Sequence, residues 1–211
     1  MRTFKPHTLN TRPIFITGIG TGVGKTIVSA ILVQKLQADY WKPLQSGDLD
    51  NSDTDLVRSL VSNKTTTFHP EAYRLTQPFS PHKSAALDGI YIDPEKIVLP
   101  ETNNQLIIEG AGGLMVPLNE SFLMIDLIKK LDAEVILVSQ NYLGSINHTL
   151  MSVGILKSNG IKLGRLIFSG KQDHDSEAII SKHLQIESLH IPYFDILNSE
   201  IVSSFAEKMI W

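Results

Sequence analysis

The nine residues GIGTGVGKT at positions 18–26 lie between two apolar segments and decide the fold of this 211-residue chain. The segment before them, PIFI at residues 13–16, predicts a buried strand, and IVSAILVQKL at residues 27–36 predicts a helix. A strand, a glycine-rich turn ending in Gly-Lys-Thr and a helix together make a phosphate-binding loop. The glycines let main-chain N–H groups turn toward an anion, and the helix N-terminus adds partial positive charge. We therefore predict that Lys25 reaches the β- and γ-phosphates of a nucleotide and that the Thr26 hydroxyl binds Mg²⁺.

This segment, called the phosphate loop below, departs from the usual spacing. Ile19 stands where the motif has its leading glycine, and Gly18 lies one residue further upstream. A glycine-rich turn without a ligand is the alternative, but the strand-to-helix context favours a phosphate site. A dinucleotide-binding fingerprint is excluded, because Gly18-Ile19-Gly20 would need a glycine where Val23 stands.

Composition narrows the class of protein further. The net charge is −3 and basic residues form no run, which argues against nucleic-acid and anionic-membrane partners. The chain has no cysteine, which excludes disulfides, thiolate metal sites and a cysteine nucleophile. Residues 1–12 have no apolar core and predict a flexible leader rather than a signal peptide. No apolar segment approaches membrane-spanning length, and we expect a cytoplasmic protein.

Apolar runs alternate with helical patterns along the chain. We predict strands at residues 13–16, 40–41, 105–109, 135–138, 163–168 and 190–191, and helices at residues 25–38, 53–61, 146–158, 176–184 and 199–210. Residues 63–82 are predicted to form a long, functional loop. The alternation predicts an α/β fold: a single P-loop NTPase-type domain over residues 13–211, with a mostly parallel sheet and helices on both faces.

Ligands of such sheets bind at the carboxyl ends of the strands. Besides the phosphate loop, residues 42–46 and residues 109–113 fall at predicted strand ends. Glu109 ends an apolar strand and precedes four small residues, so its carboxylate is a candidate Mg²⁺ ligand. A solvated glutamate at the strand end is the alternative.

The residues alone do not decide the roles of the other candidate groups. Asp53 or Asp55 offers a second carboxylate, and both are also favoured simply as acids at a helix start. Lys42 follows a strand and can neutralise charge during phosphoryl transfer, although a solvated lysine has the same pattern. The Ser-Pro-His triplet at residues 80–82 favours a turn, and the histidines have no metal-ligand spacing.

Six motifs in register make the chain resemble dethiobiotin synthetase, an enzyme family of biotin biosynthesis. The family's loop GTDTEVGKT is similar to GIGTGVGKT, including the extra residue. Its YKPxxSG, NSD, PxSPH, EGAGG and LGxINH motifs resemble WKPLQSG at 41–47, NSD at 51–53, PFSPH at 78–82, EGAGG at 109–113 and LGSINH at 143–148. The resemblance favours Asp53 over Asp55 and covers nearly the whole chain.

The resemblance implies a reaction and an assembly. It implies ATP- and Mg²⁺-dependent ring closure of 7,8-diaminononanoate with CO₂ (or bicarbonate) to dethiobiotin. One amine becomes a carbamate, the carbamate attacks the γ-phosphate of ATP to give a carbamic-phosphoric anhydride, and the second amine closes the ring. It also implies a homodimer with shared active sites, in which residues 143–147 of one subunit receive the substrate carboxylate of the other.

The resemblance further implies roles for individual residues. The implied metal ligands are Thr26, Asp53 and Glu109, and the implied catalytic residues are Lys42, Lys25 and Thr21. Nucleotide-binding positions lie in the phosphate loop, at the strand ends and near the base: Gly22, Val23, Gly24, Lys25, Thr26, Ile27, Asp53, Glu109, Gly110, Ala111, Gly112, Pro192 and Tyr193. The substrate-binding positions implied are Thr21, Lys42, Ser46, Gly112, Leu143 and Asn147.

Two departures from the family pattern concern the nucleotide. The acids of the family's loop are replaced by Gly20 and Gly22. The family's asparagine that reads the purine falls near Phe168, where this chain has an apolar ring and no amide. A ring can stack on any base but cannot read its polar edge, so we predict that ATP works and that other triphosphates substitute with modest penalties.

Two rival families share this fold class. Regulatory P-loop ATPases of the partition or site-placement type carry a lysine where Gly20 stands, and its absence argues against them. The related corrin-amidating enzymes add a glutaminase with a catalytic cysteine, which a 211-residue chain without cysteine excludes.

Overall fold

The computed structural model describes residues 12–211. The strands of this part of the chain are β1 (Ile14–Gly18), β2 (Asp39–Trp41), β3 (Leu44–Ser46), β4 (Phe68–His69), β5 (Tyr73–Leu75), β6 (Leu106–Gly113), β7 (Glu134–Ser139), β8 (Leu163–Gly170) and β9 (Ser188–Pro192). Seven of them form one sheet in the order β4-β2-β6-β1-β7-β8-β9, and all its pairs are parallel. β3 and β5 form a separate parallel pair.

Helices cover both faces of the main sheet. They are α1 (Lys25–Leu36), α2 (Asp53–Leu60), α3 (Pro81–Leu87), α4 (Met124–Lys130), α5 (Ser145–Ser158), α6 (His174–Leu184) and α7 (Ser199–Lys208). α1, α2 and α7 share one apolar core with the sheet, whereas α3, α4, α5 and α6 pack into cores on the opposite side. The predicted α/β fold with helices on both faces is confirmed.

β1 lies at the centre of the sheet, between β6 and β7. Its side chains alternate between the two faces: Ile14 and Ile16 pack with α1, whereas Phe15 packs in the opposite core. All five residues of the strand are buried, because a parallel sheet covered on both faces leaves neither side to solvent. The phosphate loop therefore starts from a fixed point in the molecule.

α1 is buried on most of its surface rather than along one stripe, because α2 and α7 cover the side that the sheet leaves free. The helix begins after Gly24, which has a φ of 93°. A side chain at this position would be strained and would also collide with Ser169 at the end of β8. A glycine at position 24 thus allows both the start of α1 and the close approach of the phosphate loop to β8.

Several elements were missing from the sequence prediction. The predicted loop at residues 63–82 contains β4 and β5, and α3 begins at its end. α4 was also not predicted, and its first turn is closed by Asp126, whose carboxylate accepts a hydrogen bond from Leu123 N at 2.9 Å. These elements are short, so their apolar patterns cover too few residues to show a period.

The predicted leader, residues 1–12, lies outside the described residues except for Arg12. The Arg12 guanidinium donates to the main-chain carbonyl and the carboxylate of Asp132, and the Arg12 carbonyl accepts from Gln105 Nε2 at 2.9 Å. Within residues 12–211, no helix has the length and apolar character that crossing a membrane requires.

Candidate active site

A cavity of about 650 Å³ opens at the carboxyl ends of the central strands, where the three predicted motifs meet. Its volume is in the range of small-molecule sites. The predicted site residues that line it are Thr21, Gly22, Gly24, Lys25, Thr26, Ile27, Lys42, Ser46, Asp53, Glu109, Gly110, Ala111 and Gly112. The sequence-based placement of these motifs at one edge of the sheet agrees with the structure.

The phosphate loop encloses its own lysine. Lys25 is buried, and its Nζ donates to the Gly20 carbonyl at 2.9 Å. Burial lowers the pKa of Lys25 to about 8, with Glu109 opposing the shift and Lys42 adding to it. Val23 was predicted as a nucleotide-binding position, but its side chain packs into the core, so only its main chain can face a ligand.

Three oxygen-bearing side chains converge beside the phosphate loop. The Thr26 hydroxyl lies 2.9 Å from Asp53 Oδ1 and 3.0 Å from Glu109 Oε1. Asp55, the alternative carboxylate, is half-exposed instead. It accepts a hydrogen bond from Ser52 N at 3.2 Å, and it pairs with Arg58. The local structure of α2 therefore separates the two aspartates, because only Asp53 turns inward.

Lys42 lies between the two inward carboxylates. Its Nζ is 2.6 Å from Asp53 Oδ2 and 3.1 Å from Glu109 Oε1. Lys42 is 4% exposed and Glu109 is 1% exposed. Burial would lower the pKa of Lys42, but the charges of Glu109 and Asp53 outweigh it and the pKa is raised. The ammonium is therefore held charged as the local counter-ion of the carboxylates.

The donor set of this cluster suits a hard cation. Mg²⁺ prefers oxygen ligands and typically takes one or two protein carboxylates, completing its shell with water and phosphate oxygens. Thr26, Asp53 and Glu109 offer one hydroxyl and two carboxylates. Across residues 12–211 no three His, Cys, Asp or Glu side chains gather as an all-protein metal cage. The residues present thus fit a metal that a nucleotide phosphate helps to bind.

Sequence reasoning missed one contact of this cluster. The Tyr40 hydroxyl donates to Glu109 Oε2 at 2.9 Å, and the tyrosine is fully buried. Burial and the charge of Glu109 raise the pKa of Tyr40 well above its usual value, so the phenol stays a proton donor. The contact depends on the pairing of β2 with β6, which places Tyr40 opposite Ile107. A single sequence carries no signal for this register.

The remaining wall of the cavity comes from residues around Ser46 and in the long loop, and from Thr21 and Gly112. The Ser46 hydroxyl is buried and makes no hydrogen bond within the described residues. Thr21 faces Gly112, where a Cβ would lie 3.6 Å from Thr21 Oγ1. Phe79 and Ser80 also line this wall, whereas His82 does not. The wall offers hydroxyl groups and an aromatic surface to a ligand.

Besides Val23, four predicted site residues do not line this cavity. Leu143 and Asn147 lie at the start of α5, and both are exposed. Pro192 ends β9, and Tyr193, which follows it, is 73% exposed. The structure therefore leaves these four residues outside the enclosed part of the site.

The structure corrects the role given to Phe168. Its ring is fully buried in the core among Leu137, Leu166 and Ile180, so it cannot stack on a base. An amide does lie at this strand end, but it comes from Gln140, the residue after the neighbouring strand β7: a Cβ on Gly170 would be 3.4 Å from Gln140 Nε2. Side chains along β8 alternate between the two faces of the sheet, and Phe168 lies on the face that packs against α5 and α6.

Comparison with known proteins gives a family-model match and close relatives. Residues 12–200 match a family model described as an AAA domain. ATP-dependent dethiobiotin synthetase BioD of Christiangramia forsetii is 52% identical, over 92% of this chain and 94% of that protein. The enzymes of the same name from Cytophaga hutchinsonii and Chlamydia pneumoniae are 48% and 40% identical, over 92% and 94% of this chain and 95% and 90% of those proteins.

Solved structures share the fold at low sequence identity. The septum site-determining protein MinD from Pyrococcus horikoshii, complexed with Mg-ADP, matches with a TM-score of 0.60 at 14% identity, covering 93% of this chain and 95% of that one. A ParA family ATPase from Chlorobium tepidum matches with a TM-score of 0.57 at 13% identity, covering 94% of this chain and 98% of that one. At these identities the likeness concerns the fold alone.

Proposed function

Because the chain belongs to the family of ATP-dependent dethiobiotin synthetases, which are ATP-dependent ligases of biotin biosynthesis, we propose that it closes the ureido ring of dethiobiotin. Its substrates are 7,8-diaminononanoate, CO₂ or bicarbonate, and ATP. The observation that carries this proposal is the convergence of Lys42, Thr26, Asp53 and Glu109 beside the phosphate loop. This convergence provides a site for phosphoryl transfer to a small acceptor.

The proposed reaction has three steps. One amine of the substrate adds to CO₂ and loses a proton, which gives a carbamate. A carbamate oxygen attacks the γ-phosphorus of ATP, and ADP leaves with the electron pair of the broken P–O bond. The second amine then attacks the carbon of the mixed anhydride, closes the ring and releases phosphate. No covalent bond to the protein forms, so the protein contributes positioning and charge stabilisation.

Lys25 and Lys42 supply positive charge on the two sides of the transferred group. The phosphate loop and its buried Lys25 bind the β- and γ-phosphates, and the low pKa of Lys25 rises when the anion arrives. Lys42 moves from its carboxylate partners to the carbamate and phosphoryl oxygens. Thr21 and Ser46 orient the amines and the carbamate, and the Ser46 hydroxyl, which has no hydrogen-bond partner among residues 12–211, supports this role. Gly112 leaves room beside Thr21 for the substrate.

Thr26, Asp53 and Glu109 would hold Mg²⁺ in this scheme. The metal supplies charge that withdraws electron density from the γ-phosphoryl group. The carboxylate of Glu109 is buried, that of Asp53 is partly buried, and both turn to the Thr26 hydroxyl, so little reorganisation is needed when they bind a cation. The main chains of Gly110, Ala111 and the phosphate loop line the neighbouring space for the triphosphate.

A second copy of the chain completes the site in this proposal. The exposed Leu143 and Asn147 do not line the cavity of their own chain, which supports a role at the cavity of a partner. Asn147 would then donate to the substrate carboxylate across a two-fold interface. Pro192 and Tyr193 would contact the base from the exposed end of β9. We expect a cytoplasmic enzyme without nucleic-acid or membrane partners.

Mixed dimers test the shared site. Lys42→Gln and Asn147→Ala proteins are mixed after reversible dissociation, so that some dimers carry one of each chain. A site shared across the interface regains roughly a quarter of wild-type activity in an equal mixture, because half of the dimers are mixed and each has one intact site. A mixture no more active than the mean of its two components contradicts the shared site.

Phosphate release tests the function itself. We expect ATP hydrolysis to require both diaminononanoate and bicarbonate, with one phosphate released for each dethiobiotin formed. A regulatory ATPase of the partition type would hydrolyse ATP without the diamine. Phosphate release that is unaffected by the diamine therefore contradicts the proposal.

A further inference from the structure

The two oxygens of the Glu109 carboxylate have different partners. Oε1 faces the Thr26 hydroxyl at 3.0 Å and Lys42 Nζ at 3.1 Å, both of which line the cavity. Oε2 faces the Tyr40 hydroxyl at 2.9 Å on the side of the protein interior. Because Glu109 is 1% exposed, these contacts take the place of solvent around the carboxylate. The carboxylate is thus held asymmetrically.

We propose that Tyr40 is a positioning residue for Glu109, whose hydroxyl ties Oε2 and thereby presents Oε1 alone to the metal. The inference rests on the proposed Mg²⁺ site and adds a residue to it. A hydrogen bond from an outer partner fixes the orientation of a ligating side chain, and its loss typically weakens metal binding or activity 10–100-fold.

Tyr40 has little freedom to leave this position. It lies in β2, which is paired on both sides by β4 and β6. Its ring is fully buried, and its centroid lies 6.0 Å from that of Phe68 in a tilted arrangement. The hydroxyl is therefore aimed at Glu109 by the packing of the sheet and not by a flexible loop.

The chemistry of Tyr40 also differs from that of the other partners of Glu109. Lys42 offers a positive charge and occupies the place where a cation would bind, so it must withdraw when the metal arrives. The Tyr40 phenol is neutral and contacts the opposite oxygen, so it can stay bound while a metal replaces the lysine. It orients the carboxylate without cancelling the negative charge that attracts the metal.

Tyr40→Phe is the variant that tests the inference, because it removes one oxygen and keeps the buried ring. Tyr73→Phe is a matched control. The Tyr73 hydroxyl is also hydrogen-bonded, accepting from Asp93 N at 2.9 Å and donating to Asp93 O at 3.2 Å, but it belongs to the separate sheet of β3 and β5. Both variants lose a hydrogen-bonded hydroxyl and keep the ring, and only Tyr40→Phe loses a contact with Glu109.

The measurement is Mn²⁺ binding in the presence of a non-hydrolysable ATP analogue, followed by the electron paramagnetic resonance signal of free Mn²⁺. We expect the Kd for Mn²⁺ to rise about 10–100-fold in Tyr40→Phe and to stay within about twofold of wild type in Tyr73→Phe. In turnover, Tyr40→Phe should need more Mg²⁺ for half-maximal rate. Its kcat should recover to within about threefold of wild type at saturating Mg²⁺, because the reacting groups are intact.

Each other outcome decides against the inference. If Tyr40→Phe binds Mn²⁺ with the wild-type Kd, the hydroxyl does not position Glu109 for the metal. If Tyr40→Phe fails to fold, the hydroxyl has a structural role only. A wild-type protein that binds no Mn²⁺ with the analogue contradicts the proposed metal site itself, and the positioning role falls with it.

Discussion

Two regions of the proposed site differ in how far the residues of one chain enclose them. The inner region, formed by Thr26, Lys42, Asp53 and Glu109, is desolvated or partly so, and its side chains already contact one another. The outer region, formed by Leu143, Asn147, Pro192 and Tyr193, is exposed and lies outside the cavity. Charge stabilisation depends on a dry, preorganised environment, whereas selection among substrates can take place at an open edge. Changes in the inner region should therefore affect rate, and changes in the outer region should affect choice of ligand.

The largest effect is expected at Lys42. Lys42→Gln removes the positive charge proposed to stabilise the transferred phosphoryl group, and kcat should fall about 10²–10³-fold. Binding of Mg²⁺ should be kept or strengthened, because the competing ammonium is gone from the two carboxylates. Steady-state kinetics and metal titration of the same preparation measure both effects. Lys64→Gln, at an exposed lysine, serves as the control. A kcat of Lys42→Gln within a few-fold of wild type would show that Lys42 does not act in the chemical step.

The carboxylates should show a smaller loss, in binding. Asp53→Asn and Glu109→Gln each remove one anionic ligand, and Mg²⁺-dependent nucleotide binding should weaken about 10–100-fold by calorimetry. Asp55→Asn is the matched control, since Asp55 only caps α2 and pairs with Arg58. If Asp55→Asn weakens nucleotide binding more than the other two changes, the assignment of Asp53 as the metal ligand is wrong.

The pH dependence of nucleotide binding tests whether the charge of Lys25, in the phosphate loop, contributes to binding of the β- and γ-phosphates. A lysine whose pKa is lowered to about 8 is charged below pH 8 and loses its proton above it. The attraction for the β- and γ-phosphates is therefore present at neutral pH, and the Kd for ATP should rise about fivefold between pH 8 and pH 9. AMP lacks both phosphates and is the control ligand. Equal pH profiles for ATP and AMP would show that Lys25 is not the group involved.

The smallest effect is expected for the base. Phe168 is buried, and Pro192 and Tyr193, which we propose contact the base, are exposed. We expect kcat/KM for CTP, GTP and UTP to stay within a few-fold of the value for ATP, because strong discrimination needs buried groups paired to the base edge. The four triphosphates are compared at saturating diamine and Mg²⁺. A preference for ATP of about 10⁴ or more would mean that an amide such as Gln140, which lies beside Gly170, reads the base.

The sequence predicted the parts of the site that local chain order determines. The phosphate loop, Lys42 and Glu109 each follow a strand, and parallel strands bring such positions to one edge. The Tyr40 contact with Glu109 depends on register between β2 and β6, which are far apart in sequence. The orientation of Phe168 depends on which face of β8 packs against α5 and α6. Neither is determined by local pattern, so neither could be predicted from one sequence.

The fate of the CO₂ oxygens tests the central claim most directly, namely that the carbamate attacks the γ-phosphate of ATP. The enzyme is mixed with diaminononanoate, Mg-ATP and C¹⁸O₂ and stopped before the label exchanges with water, and the released phosphate is analysed by mass spectrometry. The proposed route breaks the bond between carbon and the attacking oxygen, so the phosphate should carry one oxygen from CO₂ and dethiobiotin the other. Phosphate without label, formed alongside labelled dethiobiotin, would show that water and not the carbamate receives the phosphoryl group, and would contradict the account.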